Sequence, residues 1–328
     1  MSEREALIAA FLEQHGWADA ERRVLAGDAS FRRYDRLTRG SQVAVLMDAP
    51  PPHEDVGPFV HVGRYLTGLG LAAPEILAAD DAAGLLLIED LGDDLFSRVL
   101  REARADEGEL YAAAIDVLIA LHAEGARIDL PAYDDRVMVE MAVLLVDWFA
   151  PLAGIDLPAG ARDDFAALWR ETLPRAHIGP DTVILRDYHA ENLIWLPERS
   201  GLARVGLLDF QDAMIGPRAY DLVSLLEDAR RDVGPATVDL ARARYLAAFP
   251  DLDPDGFAAA YAVAGAQRNC RIIGVFCRLL ARDGKPAYQD LLPRVWGHLA
   301  QDLRHPVNAR LKDWLNRWIA PAKRTRAA

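Results

Sequence analysis

Cysteine is scarce in this chain, positive charge is in deficit, and no long apolar run is uninterrupted. Only two cysteines, Cys270 and Cys277, occur among 328 residues. They lie seven apart in what reads as one helix, too few for a disulfide framework or a metal quartet, and read as small buried residues. Lys and Arg number 37 against 50 Asp and Glu, a net charge of −13. Nonspecific nucleic-acid binding needs clustered basic residues, so a nucleic-acid partner is excluded and any anionic ligand must be met locally. Apolar runs such as MAVLLVDWFA are cut by Asp147, and MSEREALIAA lacks a basic segment leading into an apolar one. These features predict a soluble cytoplasmic protein without a membrane partner. Internal repeats and low-complexity tracts are also missing, and nothing in the sequence specifies an oligomeric state.

What is present is a 52% hydrophobic chain, long enough for two lobes. After a helix over 3–15, the stretch RRVLAGDASFRRYDRLTRGSQVAVLMDAPPP reads as three strands, about 22–26, 31–38 and 42–48, with turns at Gly27 and Gly40. A helix over 55–69 and two strands around Ala83-Gly84 follow. Beyond Gly92 the pattern is helical: 94–103, 107–123, 134–150 and 159–176. Strands first and helices afterwards predict an α+β protein with segregated halves, residues 1–91 and 92–328, divided at EDLG.

One segment concentrates polar chemistry. LRDYHAENLIW, residues 185–195, places Asp187 and Asn192 five positions apart and then turns apolar. The run from Leu193, the break PERSG and a second run ending in Asp209 read as a hairpin. Its centre between Ser200 and Gly201 would set Asn192 opposite Asp209. An amide oxygen and a carboxylate at the open end of a hairpin can hold Mg2+, with Asp187 in the preceding loop as an acid/base carboxylate.

D-x₄-N, a hairpin and D-F in that order resemble the catalytic and metal-binding signature of the protein-kinase-like fold, and over nearly the whole length the chain resembles its aminoglycoside phosphotransferase and choline kinase-like branch. The resemblance implies a two-lobed fold with a β-rich nucleotide lobe, ATP and Mg2+ as cofactors, Asp187 as the base, and Asn192 and Asp209 as metal ligands. GDASFRRY would cover the phosphates with Gly27, Asp28, Ala29, Ser30 and Phe31, although a single glycine also suits an ordinary hairpin. LIEDLG would be the hinge, with Glu89 and Leu91 at the nucleotide. Asp221 in AYDLVSLL matches a brace of the catalytic loop and reads as structural, at the opening of an apolar helix.

Two positions depart from the pattern. Met47 stands where such enzymes carry a phosphate-binding lysine, and Leu185 replaces the His that precedes Arg-Asp. Arg32 or Arg33 would supply the missing cation, since Arg suits bidentate phosphate contact. The phrases GDASFRRY, LMDAPPP, EDLGD, RDYHAEN, LLDFQDA and GAQRNCRIIGVFCRL together resemble a narrower group, bacterial kinases that phosphorylate the anomeric hydroxyl of N-acetylmuramate and N-acetylglucosamine in cell-wall recycling. That likeness implies a small amino-sugar partner. Alternatives are an aminoglycoside or choline-type phosphotransferase and a catalytically silent nucleotide-binding regulator.

Arg268, Arg271, Arg278 and Arg282 recur near one face of a helix, either as a solvated basic stripe or as a partner for a substrate carboxylate. His189 and Arg218 flank the catalytic loop and the metal segment and are further candidates for the sugar, with packing an equal alternative.

Overall fold

The computed structural model describes residues 2–27 and 32–324. In chain order it forms α1 (Glu3–Gln14), β1 (Glu21–Gly27), β2 (Arg33–Arg39), β3 (Gln42–Asp48), α2 (Gly57–Gly68), β4 (Ile76–Asp80), β5 (Leu85–Ile88), α3 (Phe96–Arg101) and α4 (Glu107–Ala123). Then come α5 (Asp135–Ala142), α6 (Ala150–Leu152), α7 (Ala161–Thr172), β6 (Thr182–Ile184), β7 (Leu193–Trp195), β8 (Val205–Leu207) and β9 (Met214–Gly216). Helices α8 (Ala219–Leu226), α9 (Pro235–Ala248), α10 (Pro254–Ala281), α11 (Leu292–Asp302) and α12 (Ala309–Trp318) complete it. Two compact units result, residues 1–104 with 191–212, and residues 105–190 with 213–328. The expected division after Leu91 is therefore not where the chain parts. The physical reason is that the β7–β8 hairpin belongs with the first unit: Trp195 donates its backbone N–H to Asp94 at 2.7 Å and Leu207 donates to Ala72 at 2.9 Å.

The first unit is built on an antiparallel sheet of order β1-β2-β3-β5-β4. Period-two alternation sends Leu37, Ala44, Leu46, Leu85 and Leu87 to one face, where α1 covers them with Ile8, Phe11 and Leu12. Arg4 ties that helix down: its guanidinium donates to Asp48 at 2.5 and 2.8 Å and to the carbonyls of Ala83 and Gly84. The turn at Gly84 has φ +64°, and a Cβ there would lie 2.1 Å from the Ala49 carbonyl oxygen, so only glycine fits.

The second unit is organised around α10, which is buried along most of its length, as expected for a helix apolar on several faces. Asp253 caps it by accepting the N–H of Gly256 at 2.7 Å. At Gly274 the backbone meets Leu144 so closely that a Cβ would sit 2.3 Å from the Leu144 carbonyl carbon. The helix expected over 134–150 is broken at this crossing. After α5 it widens into a π-helical turn, Leu145–Phe149, before α6. Cys270 and Cys277 are buried and unpaired, as expected. Among the described residues no helix is long and apolar enough to cross a membrane.

Candidate active site

The polar segment 185–195 is shared between the units, which divide between Ala190 and Glu191. Its two halves are described in turn.

In the second unit, β6 pairs with β9 and delivers the chain into Leu185, Arg186 and Asp187. The loop backbone is held from α8. The Asp221 carboxylate accepts the N–H of Leu185 at 2.5 Å and of Arg186 at 2.9 Å, and Ser224 donates its hydroxyl to the Arg186 carbonyl at 3.2 Å. Asp221 thus braces the loop rather than capping its own helix, which has no side-chain cap. Burial pushes the Asp221 carboxyl up to about 7, against the pull of those two N–H groups and of Arg268. Arg186 takes φ +70°, a left-handed conformation that non-glycine residues adopt at a cost of about 1–3 kcal/mol. Tyr188, just past Asp187, is held as well, its hydroxyl donating to the Ala114 carbonyl at 2.8 Å.

Asp187 sits among cations. Arg271 places Nη1 3.7 Å from its Oδ1. Burial favours the neutral carboxyl, but the charges of Arg271, His189, Arg268 and Arg186 overcome that and hold its pKa at about 2. His189 is buried, its Nε2 3.4 Å from Arg230 Nη1 and its Nδ1 without a hydrogen-bond partner among the described residues. Burial, only partly offset by Asp228, lowers its pKa to about 4, so the ring is neutral at pH 7. Arg268 is 2% exposed and reaches the Glu227 carbonyl at 3.5 Å.

Of the residues expected at the sugar, the structure brings His189, Arg268 and Arg271 to Asp187, but not Arg218. The Arg218 guanidinium lies over Phe249 at 4.9 Å, reaches the Pro180 carbonyl at 3.5 Å, and shares a corner with Tyr245 and His122. A solvated basic stripe is also ruled out for Arg268 and Arg271; it survives only at Arg282, which is exposed and paired with Asp283. Arg186, Arg230 and Tyr220 went unassigned as site groups. No spacing rule would have marked the first two, whereas Tyr220 stood beside the expected brace.

In the first unit, Leu193 pairs with Leu207, so the hairpin is centred one half-step earlier than expected and Asn192 faces Leu208. Leu208 donates its N–H to the Asn192 carbonyl at 3.0 Å. The side chains still meet: Asn192 Nδ2 lies 3.4 Å from Asp209 Oδ2, and Gln211 Nε2 lies 2.8 Å from Oδ1. Asp209 is exposed and takes φ +56°. It is presented by its neighbour Phe210, which is fully buried with its ring 4.8 Å from Phe59 on α2. Oxygen donors of this kind suit Mg2+, which binds through one or two protein groups and takes the rest from phosphates and water. The described residues contain no cluster of three or more His, Cys, Asp or Glu able to hold a metal by themselves.

Of the expected nucleotide-binding positions, Asp28, Ala29, Ser30 and Phe31 lie outside the described residues. Gly27 ends β1 opposite Arg33. Arg33 donates Nε to the buried Asp35 at 2.9 Å, while Arg32 lies 3.6 Å from Glu54. Met47 is fully buried. Glu89 pairs with Arg199 and donates its N–H to Glu75 at 2.8 Å, and Leu91 is buried.

The sequence matches the phosphotransferase enzyme family (APH) over residues 21–265. This chain belongs to that family. Among curated relatives, N-acetylmuramate/N-acetylglucosamine kinase of Caulobacter vibrioides is 43% identical, with 97% of each chain covered. The structure is similar to a choline/ethanolamine kinase family protein of Mesorhizobium loti (TM-score 0.64, 19% identity, 96% of this chain and 98% of the other). It is equally similar to the GDP complex of aminoglycoside 2'-phosphotransferase-IIIa (TM-score 0.64, 13% identity, 92% and 100%). The expected α+β, protein-kinase-like fold is thus present, with most strands in one unit and most helices in the other.

Proposed function

We propose that this member of the family is a cytoplasmic, ATP-dependent sugar kinase. In this reading it phosphorylates the anomeric hydroxyl of N-acetylmuramate, N-acetylglucosamine or both, in peptidoglycan recycling. Relatives of nearly the same length that carry the name N-acetylmuramate/N-acetylglucosamine kinase support the sugar. The observation that carries the chemistry is the Asp187 carboxylate, on a loop held by Asp221 and with Arg271 3.7 Å away. A carboxylate base does not by itself choose between acceptors, since kinases use one for ordinary alcohols too. An anomeric hydroxyl is more acidic, and a loose phosphoryl-transfer transition state asks the base to orient first and accept a proton late.

In the proposed reaction the anomeric oxygen, hydrogen-bonded to Asp187, attacks the γ-phosphorus in line. The bond to the β,γ-bridging oxygen breaks, ADP leaves, and the sugar proton passes to Asp187. Asn192 and Asp209 would hold Mg2+, which supplies positive charge to the phosphates. Gly27 to Phe31 and Arg32 would meet those phosphates, and Glu89 and Leu91 the base of the nucleotide. His189, with an unpartnered buried ring nitrogen, would bind a sugar hydroxyl. The cationic surroundings of Asp187 favour an anionic or neutral sugar over a polycationic aminoglycoside. Measuring ADP release with N-acetylmuramate, N-acetylglucosamine, choline and kanamycin tests the reading. Turnover confined to the two N-acetyl sugars is expected, and turnover confined to choline or kanamycin would overturn it.

A further inference from the structure

The dipeptide Tyr220-Asp221 opens α8 with two polar side chains, and only one of them has been accounted for. Asp221 holds the catalytic loop by its backbone. Tyr220, fully buried, acts electrostatically on Arg271, and its hydroxyl lies 3.4 Å from that of Tyr133. From the other side Arg271 faces Asp187, with 3.7 Å between Nη1 and Oδ1. We infer that Tyr220 and Arg271 are positioning residues that brace the Asp187 carboxylate from α8 through α10, and that Arg271 does not serve as the docking point for a substrate carboxylate.

The physical case rests on what a guanidinium costs when removed from water. The Arg271 side chain is 14% exposed and carries a full charge, so it needs an anionic partner in place before any substrate arrives. Its planar fork can use one edge for the phenol and another for the carboxylate. Turning it toward a substrate anion would remove a counter-charge from Asp187. The neighbouring charges are consistent with a fixed role. Asp187 is also met by Arg268 from α10, by His189 and Arg186 from its own loop, and by the like charge of Asp221 from α8. The Arg186 guanidinium lies over the Tyr133 ring at 5.6 Å, and Tyr133 packs edge-on against Tyr220 at 5.1 Å. The two tyrosines thus pack as one pair, with Arg186 over the ring of Tyr133. Asp221 sets where the loop runs, and the Tyr220–Arg271 pair sets where its carboxylate points.

The inference rests on Asp187 being the group that receives the sugar hydroxyl, and the test separates the two. Kinetics on N-acetylglucosamine and N-acetylmuramate are compared for Arg271→Met, Arg271→Lys, Tyr220→Phe and Asp187→Asn, with double variants in the Asp187→Asn background. Arg271→Met is expected to lower kcat about tenfold to a hundredfold on both sugars alike, with KM for either little changed. It should also move the acid limb of kcat/KM to higher pH, since Asp187 loses a cation that keeps it ionised. Arg271→Lys should recover part of the loss. In the Asp187→Asn background, Arg271→Met should cost nothing further. Tyr220→Phe removes one hydroxyl only, so it reports the same upward shift of the acid limb if Arg271→Met does not fold. A rise in KM confined to N-acetylmuramate, with the acid limb unmoved, would overturn the inference and return Arg271 to the substrate. If Asp187→Asn itself keeps wild-type turnover, the underlying reading of Asp187 fails, whatever Arg271 does.

Discussion

The Asp221 carboxylate accepts the backbone N–H of Leu185, 36 residues earlier in the chain, at 2.5 Å, and that of Arg186 beside it. Two buried donors thus depend on one side chain. Asp221→Ala leaves both unpaired, at about 1–3 kcal/mol each, and frees the loop that carries Asp187. Urea denaturation should show a loss of about 3 kcal/mol or more, accompanied by a fall in kcat. Asp221→Asn should be milder, because its amide oxygen can still accept one of the two bonds.

Asp209 is held in a left-handed conformation that favours glycine. Asp209→Gly is therefore expected to raise stability by about 1 kcal/mol while abolishing turnover. Asp209→Asn, which keeps shape and removes charge, should weaken divalent-cation affinity at least tenfold, about 1.4 kcal/mol, in a Mn2+ titration followed by electron paramagnetic resonance. Unchanged Mn2+ affinity would remove Asp209 from the metal site.

Arg32 and Arg33 remain the two proposed replacements for the absent phosphate-binding lysine. Both are paired in this structure: Arg33 with Asp35, which also receives Arg22 at 2.8 Å, and Arg32, which directly follows GDASF in the sequence, with Glu54 at 3.6 Å. One of Arg32→Ala and Arg33→Ala should raise KM for ATP about tenfold or more. Equal KM values in both variants and the parent would show that the cation comes from elsewhere.

His122 gives the protein a built-in sensitivity to acid. It is buried, with Nδ1 2.7 Å from the Tyr245 hydroxyl, and burial together with the nearby charge of Arg218 depresses its pKa to about 3. The folded state thus binds this proton later than the unfolded chain, whose pKa is about 6.5, so the contribution is present above that pH and lost as pH falls. His122 alone contributes a decline of up to about 1.4 kcal/mol per pH unit from about 6.5 to 5; buried His189 adds to it with the same sign, and Asp221, raised to about 7, opposes it. His177 has the opposite sign. Asp181 and Asp135 raise its pKa, so its contribution is complete below about 6.5 and does not produce this slope. The difference in denaturant midpoint between wild type and His122→Gln should therefore shift in favour of the variant as pH falls from about 6.5 to 5, and a difference that does not change with pH would remove His122 from this role.

Much of this was legible in the sequence because the patterns are long. The meander, α1, α2 and α4 follow from alternation or periodicity sustained over seven or more residues. The hairpin was placed within half a step from the polar ends of two apolar runs; the short 3₁₀ turn Gly201–Arg204 sets the remainder. Other features depend on partners distant in sequence. Strands β6 and β9 have three residues each, too short for alternation to show. The break in the helix over 134–150 comes where Gly274 presses on Leu144, a contact across more than a hundred residues. Helical spacing put Arg268 and Arg271 on one face, but not what covers that face, which is Glu227 for one and Tyr220 with Asp187 for the other. Arg218 followed the metal segment in sequence yet turns toward Phe249.

The central claim is that one oxygen of the sugar, the anomeric one, receives the phosphoryl group. It is tested most directly by offering the enzyme N-acetylglucosamine and its 1-O-methyl glycoside side by side with ATP, following ADP release and the ³¹P spectrum of the product. The glycoside keeps every other hydroxyl, so the account predicts turnover of the free sugar to an acid-labile, non-reducing 1-phosphate and no reaction of the glycoside. Efficient phosphorylation of the glycoside, or a product that still reduces, would contradict it.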